Sequence, residues 1–166
     1  MKKVIMIIAP ENFRDEEYFQ TRESLEKKGV EVTVASTQTE AVSGIDKTTV
    51  HIDVLVADAT TDYDGIVFVG GSGAKVYFNN EKALNLAQAF YEEGKIVAAI
   101  CIAPLILGHA GILQDKKVTS WEGAREELLG LGADYTGKDV CIDGKVITAS
   151  GPRASYKFGK KIAKAL

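Results

Sequence analysis

Apolar and polar positions along this chain sort it into alternating strands and helices. Val4-Ile5-Met6-Ile7-Ile8 is an uninterrupted β-rich run between lysines and Pro10, the pattern of a central strand covered on both faces. Asp15 to Lys28 follows with helical character. Tyr18, Leu25 and neighbouring positions supply its inner stripe, and Gly29 stops it. Val30 to Ala35 then alternates through Val30, Val32 and Val34. A strand, a helix and a second strand at this spacing predict a βαβ unit and a parallel sheet.

The same rhythm continues. Val54 to Ala57 reads as a short extended segment. Gly65 to Val69 reads as an apolar strand running into Gly70-Gly71-Ser72-Gly73. Asn80 to Glu93 is a helix closed by Gly94, Ile96 to Ile100 a further central strand, and Leu105 to Ala110 a short helix stopped by Gly111. Val140 to Ile142 and Val146 to Thr148 flank Asp143-Gly144 as a hairpin. Ala154 to Leu166 is a closing helix entered through Gly151-Pro152. The alternation predicts a single α/β domain over residues 1–166: a doubly wound, mostly parallel sheet with helices on both faces. Ligands of such sheets sit beyond the carboxyl ends of the strands. Three loops qualify, Pro10 to Glu17, Gly70 to Gly73 and the turn at Cys101.

Composition removes several function classes. A chain of 166 residues suits one domain and buries a core without disulfides or a structural metal. Net charge is −3 with both signs interleaved, and no basic stripe suggests a nucleic-acid partner. Two cysteines, Cys101 and Cys141, make no disulfide framework, so a cytoplasmic location is expected. The apolar run after Met1-Lys2-Lys3 is cut short by Pro10 and Glu11, which favours a first strand over a signal peptide. Ile96 to Leu107 is too short to span a bilayer and contains Pro104, so no membrane partner is expected. Asp53, Asp58, Asp62 and Asp64 lack metal-ligand spacing. The Gly70–Gly73 loop lacks the lysine and hydroxyl pair of a phosphate-binding P-loop. Neither a metal nor an organic cofactor is expected.

Candidate chemistry concentrates at Ala98-Ala99-Ile100-Cys101-Ile102-Ala103-Pro104. A buried strand runs directly into a thiol and a helix begins at once, as in a nucleophile elbow. Ala99 and Ala103 leave room for the strand and helix backbones to approach, and Pro104 suits a first helical turn. A helix start favours the thiolate and predicts a lowered thiol pKa. The N–H of Ile102 and an N–H from the Gly70-Gly71 loop form a candidate oxyanion hole. Local pattern alone leaves a second reading open, in which Cys101 is a small inert core residue. Cys141, mid-strand before an Asp-Gly turn, reads as structural.

These segments together resemble the ThiJ/PfpI superfamily, which includes the Parkinson-associated protein deglycase and the PfpI-type intracellular proteases. Ala98 to Pro104 resembles its elbow, Phe13-Arg-Asp-Glu-Glu17 its acidic loop, and Val69-Gly-Gly71 its glycine pair. Asp143-Gly144 through Ser150-Gly151-Pro152 and the final helix resemble the deglycase branch. The resemblance runs nearly end to end. It implies a flavodoxin-like fold, a homodimer, a reactive Cys101, and Glu17 as the carboxylic acid contacting its sulfur. Read without the family, Glu17 is equally a solvated helix-start carboxylate like Glu16. Two departures bear on activity. The protease branch carries a histidine after the cysteine, where this chain has Ile102, and a glutamate after the glycine pair, where it has Lys75. A histidine of the deglycase branch corresponds to Trp121. His109, near a helix end, reads as capping or packing. His51 lies in an extended segment that could border a dimer interface.

The resemblance therefore implies a cofactor-independent glyoxalase- or deglycase-like stress protein. Its substrate would be a small aldehyde or glycation adduct, with Cys101 and Glu17 as catalytic groups and the N–H groups of Gly71 and Ile102 holding the oxyanion. The alternative is a redox sensor or chaperone-like protein that uses oxidation of Cys101. A peptidase or amidase is disfavoured by Ile102.

Overall fold

The computed structural model describes residues 1–166. In chain order the strands are β1 (Lys3–Ile7), β2 (Glu11–Phe13), β3 (Glu31–Ser36), β4 (Glu40–Ser43), β5 (Thr49–His51), β6 (Val54–Leu55), β7 (Gly65–Phe68), β8 (Ile96–Ile100), β9 (Lys117–Val118), β10 (Asp134–Tyr135), β11 (Val140–Asp143) and β12 (Val146–Ala149). The helices are α1 (Asp15–Lys27), α2 (Glu81–Glu92), α3 (Pro104–His109), α4 (Arg125–Gly130) and α5 (Ser155–Ala165), with 3₁₀ turns at Val56–Asp58, Ser72–Tyr77, Glu122–Ala124 and Pro152–Ala154.

Seven strands form the central sheet in the order β11-β12-β8-β7-β1-β3-β6. Every pairing is parallel except the β11–β12 hairpin. Side chains alternate across it. Ile5, Ile7, Ile66, Phe68, Val97 and Ala99 face a core built with α2, α3 and α4, whereas Val4, Met6, Ile8, Val67, Ala98 and Ile100 face one built with α1 and α5. Burial on both faces is why these strands read as continuous apolar runs. The expected doubly wound, mostly parallel sandwich is what the chain adopts.

α1 and α5 pack unusually closely. A Cβ on Gly159 would lie 2.5 Å from Ser24 Cβ and 2.7 Å from the Thr21 carbonyl oxygen, so only glycine allows this approach. The Ser24 hydroxyl donates to the Tyr156 carbonyl at 3.1 Å, and that of Thr21 to the Ser155 carbonyl at 3.4 Å. Thr21, Ser24 and Leu25 thus occupy the inner stripe of α1 beside Tyr18.

Four element boundaries differ from the sequence expectations. The segment at Val54 pairs with β3 for only two residues before turning into 3₁₀ geometry. The strand expected to run to Val69 ends its ladder pairing at Phe68. α3 starts at Pro104, where the missing proline N–H costs nothing. The closing helix is preceded by a 3₁₀ turn, so α-helical geometry begins at Ser155. A small sheet, β2-β4-β5, and the β9–β10 pair lie beside the main sheet. Asp15 anchors the small sheet's loop by accepting from the N–H groups of Ile45 (2.9 Å) and Asp46 (3.1 Å). No helix is long and apolar enough to cross a membrane.

Candidate active site

The order in which strands are added reverses around β1. The chain leaves β1 for β3 on one side and later returns to β7 on the other. The loops leaving β1, β7 and β8 therefore converge beyond the carboxyl ends of their strands, at the sheet's switch point. They enclose a pocket of ≈ 340 Å³ lined by Arg14, Glu17, Gly71, Ser72, Lys75, Cys101, Ile102, Trp121 and Pro152. All four residues singled out from sequence, Cys101, Glu17, Gly71 and Ile102, line this one cavity.

Cys101 follows β8 directly and takes φ 64°, a left-handed conformation that costs a non-glycine residue on the order of 1 kcal/mol. Its neighbours hold it there. The Cys101 N–H donates to the Ala149 carbonyl at 2.9 Å, and its carbonyl accepts from the Trp121 N–H at 2.8 Å. Hydrogen bonds to two separate segments thus fix the elbow and leave the thiol half-buried in the pocket. Ala99 and Ala103 are fully buried beneath it.

Glu17 enters from the first turn of α1. Its side chain is 0% exposed, and neither carboxyl oxygen has a partner of good hydrogen-bond geometry. The Cys101 thiol, the Gly70 N–H and Arg14 favour its charged form, and Glu16 opposes it. Gly70 is what lets acid and thiol meet. A Cβ there would collide with Glu17 Oε1 and come within 2.7 Å of the Ile100 carbonyl oxygen and 2.8 Å of Cys101 Cβ. Gly71 has φ 99°, and a Cβ on it would strike the Arg14 backbone nitrogen and the Asn12 carbonyl. Neither the Gly71 nor the Ile102 N–H donates to a backbone carbonyl, and that of Ile102 favours the Cys101 thiolate.

The electrostatics correct one sequence expectation. Burial pushes the Cys101 thiol up to about 12, and negative charge on Glu17 adds to the effect. The Ile102 N–H and the Arg14 guanidinium oppose it only in part. The expected lowering by a helix start loses because the sulfur is desolvated and faces a carboxylate. Burial also lifts Glu17 to about 7, against the Cys101 thiol, the Gly70 N–H and Arg14, which favour its ionised form. Acid and thiol therefore titrate as a pair, and around neutrality the pair gives up a single proton.

No histidine lines the pocket. His109 stacks on Phe78 with ring centroids 5.5 Å apart, and its Nε2 lies 3.1 Å from Glu127 Oε1. That is the packing role read from its helix end. His51 lies exposed on β5. Cys141 is buried on β11. The chain brings together no cluster of three His, Cys, Asp or Glu side chains able to hold a metal ion. The sequence placed the loops of Arg14 and Ser72 at the site without singling out either residue, and it did not place Pro152 there. Arg14 could have been suspected, since it sits three residues before Glu17 and both leave the same strand end.

Comparison with known proteins finds relatives along nearly the whole chain. Residues 2–165 match the DJ-1/PfpI family. A Methanocaldococcus jannaschii protein is 41% identical over 99% of this chain and 82% of its own length. The deglycase PfpI of Pyrococcus furiosus is 30% identical over 98% of both chains. Among solved structures, a ThiJ/PfpI domain protein from Brachyspira murdochii superposes with a TM-score of 0.95 at 28% identity, over 98% of this chain and 95% of the other.

Proposed function

The chain belongs to the DJ-1/PfpI family, and we propose that it detoxifies reactive aldehydes or early glycation adducts through Cys101, without a cofactor. The observation carrying this reading is the pairing of a half-buried thiol with a fully buried carboxyl group beside two N–H groups that donate to no backbone carbonyl. Relatives named deglycases, 30–31% identical over nearly the whole chain, support the substrate class.

Because the free thiol holds its proton, attack must be base-assisted. With a 2-oxoaldehyde, the Cys101 sulfur bonds to the aldehyde carbon while the Glu17 carboxylate takes the thiol proton. The carbonyl oxygen becomes an oxyanion under the Gly71 and Ile102 N–H groups, and Glu17 passes the thiol proton to it, giving a hemithioacetal and restoring the carboxylate. Glu17 then removes the proton from that carbon, and a proton returns at the neighbouring ketone carbon. The first carbon is thereby oxidised and the second reduced, leaving a thioester. Water cleaves the thioester to a 2-hydroxy acid and regenerates the thiol. One water is consumed and no external oxidant is needed. Base catalysis by Glu17 predicts turnover that rises with pH through about 7, following its raised pKa.

The test is lactate formation from methylglyoxal by the wild type, Cys101→Ser and Glu17→Gln. Product from the wild type and from neither variant supports the assignment. No product from the wild type removes the reading for uncharged 2-oxoaldehydes. A second reading draws on the same pair. Two equivalents of peroxide would oxidise the half-buried Cys101 thiol to a sulfinate, releasing two waters, and protonated Glu17 would hydrogen-bond to it. Mass spectrometry separates the two. Turnover lost in Glu17→Gln with sulfinate yield unchanged favours catalysis. Sulfinate yield lost, in a wild type without turnover, favours the sensor. We also propose that the protein acts as a homodimer in the cytoplasm. Size-exclusion chromatography with light scattering tests the dimer.

A further inference from the structure

The pocket mouth carries an excess of positive charge that the chemistry above does not use. Arg14 and Lys75 line the pocket. Arg153 lines a contiguous cleft that shares Arg14 and Pro152 with it. Arg14 is tied to Glu16, its Nη2 lying 2.9 Å from Oε2. Lys75 and Arg153 are exposed and make no ion pair or side-chain hydrogen bond with any carboxylate. Glu16 is the one carboxylate lining either cavity apart from buried Glu17. Lys75 is held on the 3₁₀ turn Ser72–Tyr77, which starts directly after Gly71, so its backbone is fixed relative to the Gly71 N–H.

We propose that Lys75, supported by Arg153, forms an anion subsite at the pocket mouth, so that the preferred substrates are aldehydes carrying a carboxylate or phosphate. This rests on the aldehyde reading of Cys101 and adds the substrate's charge to it. The anionic group makes no covalent bond. It pairs with the mouth cations while the aldehyde carbon reaches the sulfur beneath. A pocket of ≈ 340 Å³ accommodates a short chain bearing both groups. The exposure of both cations makes their effect one of steering and modest affinity, screened by salt.

Alkylation of Cys101 tests the subsite without turnover. Iodoacetate and iodoacetamide attack the same sulfur and differ in charge, so any change in thiol ionisation cancels in the ratio of their rates. Reversing one charge across a small, wet pocket should lower the iodoacetate-to-iodoacetamide ratio about 5-fold in Lys75→Glu at low salt. Lys75→Arg should keep the wild-type ratio, and high salt should erase the difference. An unchanged ratio in Lys75→Glu overturns the proposal, whatever methylglyoxal shows. A fallen ratio in a protein that consumes neither methylglyoxal nor 4,5-dioxopentanoate, a 2-oxoaldehyde carrying a carboxylate, leaves the subsite standing and removes the aldehyde reading. Protection of Cys101 from iodoacetamide by inorganic phosphate or by pyruvate then identifies which anion the mouth takes. Protection by neither overturns the subsite.

Discussion

Replacing Glu17 with glutamine tests whether a buried acid governs both stability and chemistry. The carboxyl group has no exposed surface, and burial raises its pKa from 4.5 to about 7. An acid whose pKa is raised by folding binds its proton more tightly in the native state. Between the two pKa values the native state holds more protons than the unfolded chain, so stability falls as pH rises through that window and levels off above about 7. The shift corresponds to about 3 kcal/mol when fully expressed. Glutamine does not titrate and removes this slope. The assay is urea unfolding of wild type and Glu17→Gln at fixed protein concentration, from about pH 4 to about pH 8. The buried amide adds an offset of its own, about 1–3 kcal/mol if a donor goes unpaired, but the offset does not vary with pH. The stability of the variant relative to wild type should therefore grow by about 3 kcal/mol across the range, equivalent to roughly 6–12 °C in Tm. Parallel curves for the two proteins would refute the assignment of a raised pKa to Glu17.

Other outcomes follow from packing. Gly70→Ala should cost about 1–3 kcal/mol, because its Cβ meets the Ile100 carbonyl, Cys101 Cβ and Glu17 Oε1. It should also change the rate at which Cys101 is alkylated, read by mass spectrometry after timed quenching. Gly159→Ala should destabilise by a similar ~1–3 kcal/mol by forcing α5 away from Ser24 and Thr21, measured by thermal melting. Asp15→Ala removes the acceptor for the N–H groups of Ile45 and Asp46. It should cost about 1–3 kcal/mol and speed proteolysis in the loop between β4 and β5.

The central strands were legible because burial on both faces leaves an unmistakable apolar run, as at Val4–Ile8 and Ile96–Ile100. The small sheet was not. Glu11–Phe13 and Glu40–Ser43 are short and half polar, and their partners are decided by Asp15 and the backbone rather than by local pattern. The same holds for β9 and β10, two residues each. In the site, the elbow was readable because strand, thiol, alanine and proline are consecutive. Glu17 was harder, since a carboxylate on a helix's inner stripe has no pattern of its own and the family resemblance picked it out. The thiol's acidity is not legible in sequence, because a helix start is visible there whereas desolvation and a facing carboxylate are not. The mouth cations belong to three separate loops, so only the fold assembles them.

The close seating of α1 against α5 also has a meaning in time. Thr21 and Ser155 are 134 positions apart, so the helix that carries the buried acid has no finished seat until nearly the whole chain exists. Contacts of such long sequence separation form late, after the loop between them has closed. During synthesis the chain must therefore expose its cysteine before the acid that governs it is locked in place. The thiol's guarded state is acquired with completion of the fold, and a nascent or partly unfolded chain presents an ordinary, unprotected thiol to whatever electrophile is at hand.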